Sequence, residues 1–245
     1  LNNLARVLLT QGCEVFGLDD LSAGLRENVP NGVHFVQQDI RSEEIYPLFA
    51  NVDTVFHFAA KNCLADCLAD PGLTASINVG GTVNVLEAAR RANVRKVVFA
   101  DTSAEYEGIQ QMPLRVDSIH PLGTYAVSKR GGALFCDSYH YLYQMNITVL
   151  RYFNVYGPWQ DWRRTVPPLM SAFIFKLLQG KRPTIFGSGS KRRDFVYIDD
   201  VNAFNVLAMN DARTDGRTFN VGSGVSHSVL EIFRSEEHTS ELQSR

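Results

Sequence analysis

The sequence is short of cysteine, carries almost no net charge and has no long apolar run, and each shortage closes off a class of protein. Four cysteines in 245 residues are too few for a disulfide scaffold, and no secretory apolar segment opens the chain, so the thiols read as reduced ones in a cytoplasmic enzyme. The longest apolar stretch, 166–175, contains Pro167 and Pro168 and stops at Lys176, at about half the length of a bilayer-spanning helix. The 24 basic and 26 acidic residues leave a formal charge of -2, which offers no footprint for nucleic acid or an anionic membrane. What remains, with 45% apolar and 20% charged residues, is the composition of a soluble chain with a sizeable core, in one large domain or one domain and part of another.

The first nine residues already carry a helical pattern, with Leu4, Val7 and Leu8 on one side, and the strand expected before such a helix is absent. At the other end, 234–245 resembles the translation of a sequencing-library adapter and is set aside as a non-native tail.

Between these ends, short apolar runs alternate with helical patterns. Strands are expected over 14–18, 33–37, 54–58, 96–101 and 147–152. Ser42, followed by Glu43 and Glu44, opens a short helix. Over 73–93, Ile77, Val79, Val83, Leu86 and Ala89 share one side, and 125–145 forms a long helix rich in alanine, leucine and aromatics. Strict alternation implies right-handed crossovers and an α/β fold with a doubly wound parallel sheet, Rossmann-like. After Gly157 and Pro158 the rhythm breaks into proline, glycine and arginine clusters. The expected organisation is a nucleotide-binding domain over 1–156 and a smaller, incomplete substrate region over 157–233, interleaved with the main sheet.

Doubly wound sheets bind ligands beyond the carboxyl ends of their strands. Asp19 and Asp20 follow the first run, Asp39 the second, and His57 to Lys61 the third, where small residues let backbone approach a ligand. A carboxylate at the end of the second strand of a dinucleotide fold bonds ribose hydroxyls and repels a 2'-phosphate, favouring NAD over NADP. The strongest chemical signal is Tyr125 with Lys129. At i and i+4 on a helix, the ammonium sits near the phenol, stabilises its phenolate and makes it a usable general base. Such a pair arises by chance in roughly one chain in five of this composition, so the polar strand end at Asp101, Thr102 and Ser103 has to support it.

The following segments, in order, resemble the extended short-chain dehydrogenase/reductase family, and within it the sugar-nucleotide epimerases: Gly12 to Asp19, Leu21 to Gly24, Arg26 to Asn28, Phe56 to Ala60, Asn78 to Thr82, the Tyr125/Lys129 pair, Arg151 to Pro158, Arg193 to Val201 and Phe219 to Gly224. The resemblance implies NAD as cofactor, contacted by Asp19, Asp39, Ile40, Phe58, Ala59, Ala60, Lys61, Asn78, Tyr125 and Lys129, with Asp19 and Asp39 on its adenosine half. It implies Thr102, Tyr125 and Lys129 as catalytic residues, and Thr102, Asn154 and Arg193 as contacts to a nucleotide-sugar substrate, with no metal. The implied activity is epimerisation by transient oxidation at sugar C4, in a homodimer built on the 73–93 and 125–145 helices.

The departures also carry information. By the resemblance, the family's glycine-rich turn would lie before or at Leu1 and much of the C-terminal substrate region beyond the matched segments, so these 245 residues alone are expected to be a poor enzyme and a weak NAD binder. Counting back from Tyr106 selects Thr102 as the catalytic hydroxyl, whereas counting from Gly108 selects Ser103, because Glu107 intervenes; Thr102 is preferred. Ser103 and Ala104 stand where 4,6-dehydratases carry an Asp-Glu pair. Nucleotide-sugar decarboxylation is the alternative, on a match of Thr102, Ser103 and Glu105 with Ala104 inserted, and a non-catalytic NAD-binding sensor is a further one. Cys63 and Cys67 read as free thiols, His57, His120 and His140 as packing or surface residues, and Arg163 and Arg164 as a solvated loop or a substrate lid.

Overall fold

The structure is a computed structural model and describes residues 2–164, 166–185 and 187–234; the segment set aside as a tail lies outside these from residue 235. The chain forms two compact units, one comprising residues up to Tyr152 with Asp199–Val221, the other Phe153–Ile198 with the chain from Gly222. In chain order the first unit opens with α1 (Asn2–Thr10), β1 (Val15–Asp19), β2 (Val33–Gln37) and β3 (Thr54–His57). Then come α2 (Leu64–Ala69) and α3 (Pro71–Ala75), which passes through a π-helical stretch at Ser76–Gly81 into α4 (Thr82–Arg91), followed by β4 (Lys96–Thr102), α5 (Thr124–Tyr143) and β5 (Ile147–Tyr152). The second unit contributes β6 (Asn154–Tyr156), α6 (Leu169–Leu178) and β7 (Arg192–Tyr197). The chain then returns to the first unit through α7 (Ile198–Asn210) and β8 (Arg217–Val221), and β9 (Ser226–Ser228) belongs to the second.

In the first unit β1 pairs in parallel with β2, Val15 opposite Val33, and β3, β4, β5 and β8 form a parallel four-stranded sheet in that order. Among the described residues, the edges of β1 and β3 away from these partners carry no ladder. Parallel strands covered on both faces become apolar throughout, and in β4 Val97, Val98 and Phe99 are all buried. The main core joins these strands to Ile45, Leu86, Ala89 and Ala133. Ser42 does open a helical turn: its Oγ accepts the N–H of Glu44, ahead of a 3-10 helix at Glu43–Phe49. In the second unit β6 and β7 run parallel and β7 and β9 antiparallel, beside a small core of Phe173, Ile232 and Phe233.

The position of α5 is set by contact rather than propensity. Its Gly132 faces β4 and the π-helical stretch so closely that a Cβ would lie 2.9 Å from Phe99 Cζ and 3.1 Å from the carbonyl oxygen of Asn78. Gly80, on the outer face, has nothing within 4 Å of such a Cβ. Gly132→Val is therefore expected to destabilise the fold by about 1–3 kcal/mol through overpacking, and Gly80→Ala to leave stability unchanged or raise it by up to about 1 kcal/mol. Urea unfolding of the two variants checks this; equal effects would contradict the packing.

Candidate active site

The parallel strands of the first unit end on one edge, and its polar residues collect there. At the end of β1, Asp19 Oδ1 accepts the N–H of Leu21 at 2.8 Å. This Asx turn holds Leu21 at φ 59° and fixes the carboxylate. A Cβ at Gly24 would stand 3.2 Å from the same oxygen, so the backbone there lies close to the acid. Asp39 is gripped by its neighbour: Arg41 Nε donates to both carboxylate oxygens at 3.0 Å, and the ion pair holds the carboxyl below its ordinary range. The side chain of Ile40 is buried in the main core beneath Gly81.

Beyond β3, residues Phe58, Ala59, Ala60 and Lys61 are half-buried, and Asn78 holds this segment in place. Its Oδ1 accepts the N–H of Lys61 at 2.7 Å, and its Nδ2 donates to the Lys61 carbonyl and to Ser128 Oγ, each at 2.9 Å. Ser128 Oγ in turn donates to the Tyr125 carbonyl at 2.8 Å. Asn78 is fully buried with both amide hydrogens engaged; its side chain acts by joining the Lys61 segment to the helix that bears Tyr125. The Thr82 hydroxyl donates to the Asn78 carbonyl at 2.7 Å, so it accepts from His57 Nε2 at 2.9 Å. Burial, with the nearby charge of Lys129, pushes His57 down to about 3 and keeps it neutral.

Thr102 is the last residue of β4 and caps the 3-10 turn Ser103–Tyr106, its Oγ1 accepting the N–H of Ala104 at 3.1 Å. Tyr125 lies in the first turn of α5, half-buried, and Lys129 one turn further on, fully buried, with Nζ 4.1 Å from the centroid of the Phe99 ring. Burial lowers Lys129 to about 8, against the opposing pull of Asp101, Cys136 and Glu105. A dinucleotide suits these residues. A fixed carboxylate ends β1, small side chains follow β3, and a phenol and a buried ammonium lie one helical turn apart on the element packed against β4.

In the second unit, Asn154 Nδ2 donates to the Asp194 carbonyl at 2.8 Å, and Arg193 is exposed on β7, its Nη1 donating to the Arg192 carbonyl at 2.9 Å. Asp194 accepts the N–H groups of Ser223 and Gly224, each at 2.8 Å, and the Ser223 hydroxyl at 2.7 Å, which brings two of the sequence segments noted above into one turn. Arg163 and Arg164 both pair with Asp161.

Comparison with known proteins then decides the family. The model of the NAD dependent epimerase/dehydratase family matches residues 2–222. The chain belongs to the NAD dependent epimerase/dehydratase family. A UDP-glucose 4-epimerase of Mycolicibacterium smegmatis is 36% identical over 239 residues, 92% of this chain and 74% of that protein. Among solved structures, the UDP-glucose 4-epimerase of Thermotoga maritima with UDP-glucose has a TM-score of 0.93 at 30% identity, covering 98% of this chain and 79% of that one. The Thermus thermophilus UDP-glucose 4-epimerase complexed with NAD has a TM-score of 0.89 at 31% identity, covering 98% and 79%. This epimerase/dehydratase chain is thus an NAD-dependent enzyme with a Rossmann-like α/β fold. None of its described helices is long and apolar enough to cross a membrane, and its four cysteines are free.

Sequence reading missed one group beside this site, the buried ion cluster of Asp101, Glu105 and Arg151. A signal for it existed, since Asp101 and Arg151 interrupt two apolar strands and stand opposite each other in the β4–β5 register. Glu105, the acid on which the decarboxylase match relied, is fully buried 2.8 Å from Arg151 Nη2, so it is not presented to a substrate.

The neutral state of His57 has a pH signature. Its folded value is depressed to about 3 from an unfolded value of about 6.5. The stability it contributes is present above about pH 6.5 and is lost as pH falls toward 3. His57→Gln is expected to flatten the fall in unfolding free energy across that window, read by urea titrations at several pH values; an unchanged slope would contradict a buried neutral imidazole.

Proposed function

We propose that this protein epimerises a nucleotide sugar at C4, with Thr102, Tyr125 and Lys129 as the catalytic residues. The observation that carries the reading is the stacking of Tyr125 and Lys129 along α5, the helix packed on the strand that ends in Thr102. The Mycolicibacterium relative and the structures from Thermotoga and Thermus, all UDP-glucose 4-epimerases by name, support UDP-glucose or UDP-galactose as substrate.

The phenolate of Tyr125 takes the proton of the sugar 4-hydroxyl, and the positive charge of Lys129 favours that phenolate. Thr102, whose oxygen already accepts a backbone N–H, offers its hydroxyl hydrogen to the same sugar oxygen and fixes its direction. NAD, held along the strand ends by the residues named below, would supply the hydride acceptor and donor for C4, with return to the opposite face of a turned sugar giving the epimer. Tyr125 then returns its proton to the oxygen. Asp19 would hold the adenosine ribose; Asp39, Ile40, Phe58, Ala59, Ala60 and Lys61 would line the cofactor along the strand ends, with Asn78 keeping the last of them in position. Asn154 and Arg193 would contact the nucleotide diphosphate, the arginine as a bidentate fork on phosphate.

The protein is assigned to the cytoplasm as a homodimer. Support for the dimer comes from α5, where Val127, Leu134, Phe135 and Leu142 are exposed along one side, an apolar stripe of the kind a two-fold helix pairing covers. Light scattering at micromolar concentration is expected to give the dimer mass, and a monomer would contradict it.

Tyr125→Phe removes the base while keeping the ring. Turnover of UDP-galactose is expected to fall by at least about 10²-fold with NAD affinity nearly unchanged, measured by coupled assay and calorimetric titration. Undiminished turnover would overturn the assignment.

A further inference from the structure

Beneath Thr102 and beside Lys129, two acids share one arginine in a place water does not reach. The side chains of Asp101, Glu105 and Arg151 are 0%, 0% and 1% exposed. Arg151 Nε donates to Asp101 Oδ2 at 3.1 Å, and Nη1 donates to the Tyr106 hydroxyl at 2.7 Å and the Val116 carbonyl at 3.1 Å. Nη2 stands 2.8 Å from Glu105 Oε2 in an ion pair. Asp101 Oδ1 and both oxygens of Glu105 are buried without a hydrogen-bond partner among the described residues, and the two acids meet on the one guanidinium.

A buried acceptor left unmatched costs about 1–3 kcal/mol, more when charged, and two carboxylates in one dry site cannot both ionise cheaply. One proton removes both costs: carried on Glu105, it turns an acceptor into a donor directed at Asp101 and leaves a single carboxylate for a single guanidinium. We propose that Asp101 and Glu105 share one proton at and below neutral pH, forming an acid–carboxylate pair on Arg151. Lys129 lies over Phe99, two residues before Asp101 on the same face of β4, so the pair also serves the active site as a positioning device, setting the charge state of Lys129 and anchoring the turn capped by Thr102. The part concerning Lys129 rests on the catalytic reading given above; the proton itself does not.

The surroundings fix the direction of the effect. Arg130 and Lys129 of α5, Arg151 of β5 and Tyr106 of the turn face the pair, and Asp137 of α5 adds negative charge. Burial, then the charge of Asp101, pushes Glu105 up to about 7, whereas Lys129 sits at about 8. As pH rises past 7, Glu105 loses its proton and its new charge supports the neighbouring ammonium. Glutamine at 105 stays neutral and withdraws that support.

Difference infrared spectroscopy on the full-length protein tests the proton directly. At about pH 6 the carbonyl stretch of a protonated carboxylic acid is expected, fading through about pH 7 and absent in both Glu105→Gln and Asp101→Asn. Glutamine can still donate to Asp101, so the first variant keeps the fold's hydrogen bond, and the wild-type titration stands without either variant. No such band at pH 6, or a band that survives in either folded variant, would overturn the shared proton. The Lys129 side-chain carbon signal, assigned by its loss in Lys129→Met, is expected to titrate at lower pH in Glu105→Gln than in wild type; an unmoved midpoint would overturn the coupling. Neither readout involves turnover, so their failure is distinct from a failure of the epimerase reading.

Discussion

An ammonium held out of water is costly unless opposite charge or a polarisable surface lies near it, and the contact between α5 and β4 is arranged around that cost. Lys129 lies over the face of Phe99, where a cation–π contact recovers part of the lost hydration, and Asp101 and Glu105 pull against the effect of burial. The close approach of the helix at Gly132 keeps this ammonium dry, Arg151 sits beside it on the acids Asp101 and Glu105, and His57 is kept neutral by its own burial, with the charge of Lys129 adding to it. A half-buried phenol one turn away on the same helix then meets the field of a cation that is itself out of water.

The topology carries this arrangement to the ligand side. Because β3, β4, β5 and β8 are parallel, the Phe58–Lys61 segment and Thr102 arrive at one edge without any long loop to position them, and Asp19 ends β1 of the separate parallel pair. Asn78 then ties that edge to α5 through Lys61 and Ser128. Asn78 lies in the π-helical stretch between α3 and α4, and its side chain joins two parts of the site.

The strands were legible in the sequence as short apolar runs, strongest in β4 and β5, which are buried along most of their length, and weaker in β1 and β2, which expose Phe16 and His34. The runs at 33–37 and 147–152 coincide with β2 and β5, and those at 14–18, 54–58 and 96–101 differ from β1, β3 and β4 by a residue. Tyr125 and Lys129 were legible because helical spacing alone puts them together. The three-residue strands β6 and β9 were not: residues such as Ser226, His227 and Ser228 have no strand pattern, and only pairing with β7 makes them one. The ion cluster escaped for a related reason. Asp101 and Arg151 are fifty residues apart and meet through register, while Glu105 joins them by way of a turn whose geometry no local pattern fixes. Asn78 could be placed near the cofactor by resemblance, but that its amide is taken up by Lys61 and Ser128 follows only from tertiary contacts.

The central claim is that one active site removes and returns the same hydride at sugar C4. The most direct measurement is incubation of the full-length protein with UDP-glucose deuterated at C4, in the presence of unlabelled NAD, with the products separated and their label located. UDP-galactose that retains deuterium at C4 is expected, with no net accumulation of reduced cofactor. No C4 epimer, net reduction of the NAD pool, or a C4 epimer that has lost its deuterium would contradict it.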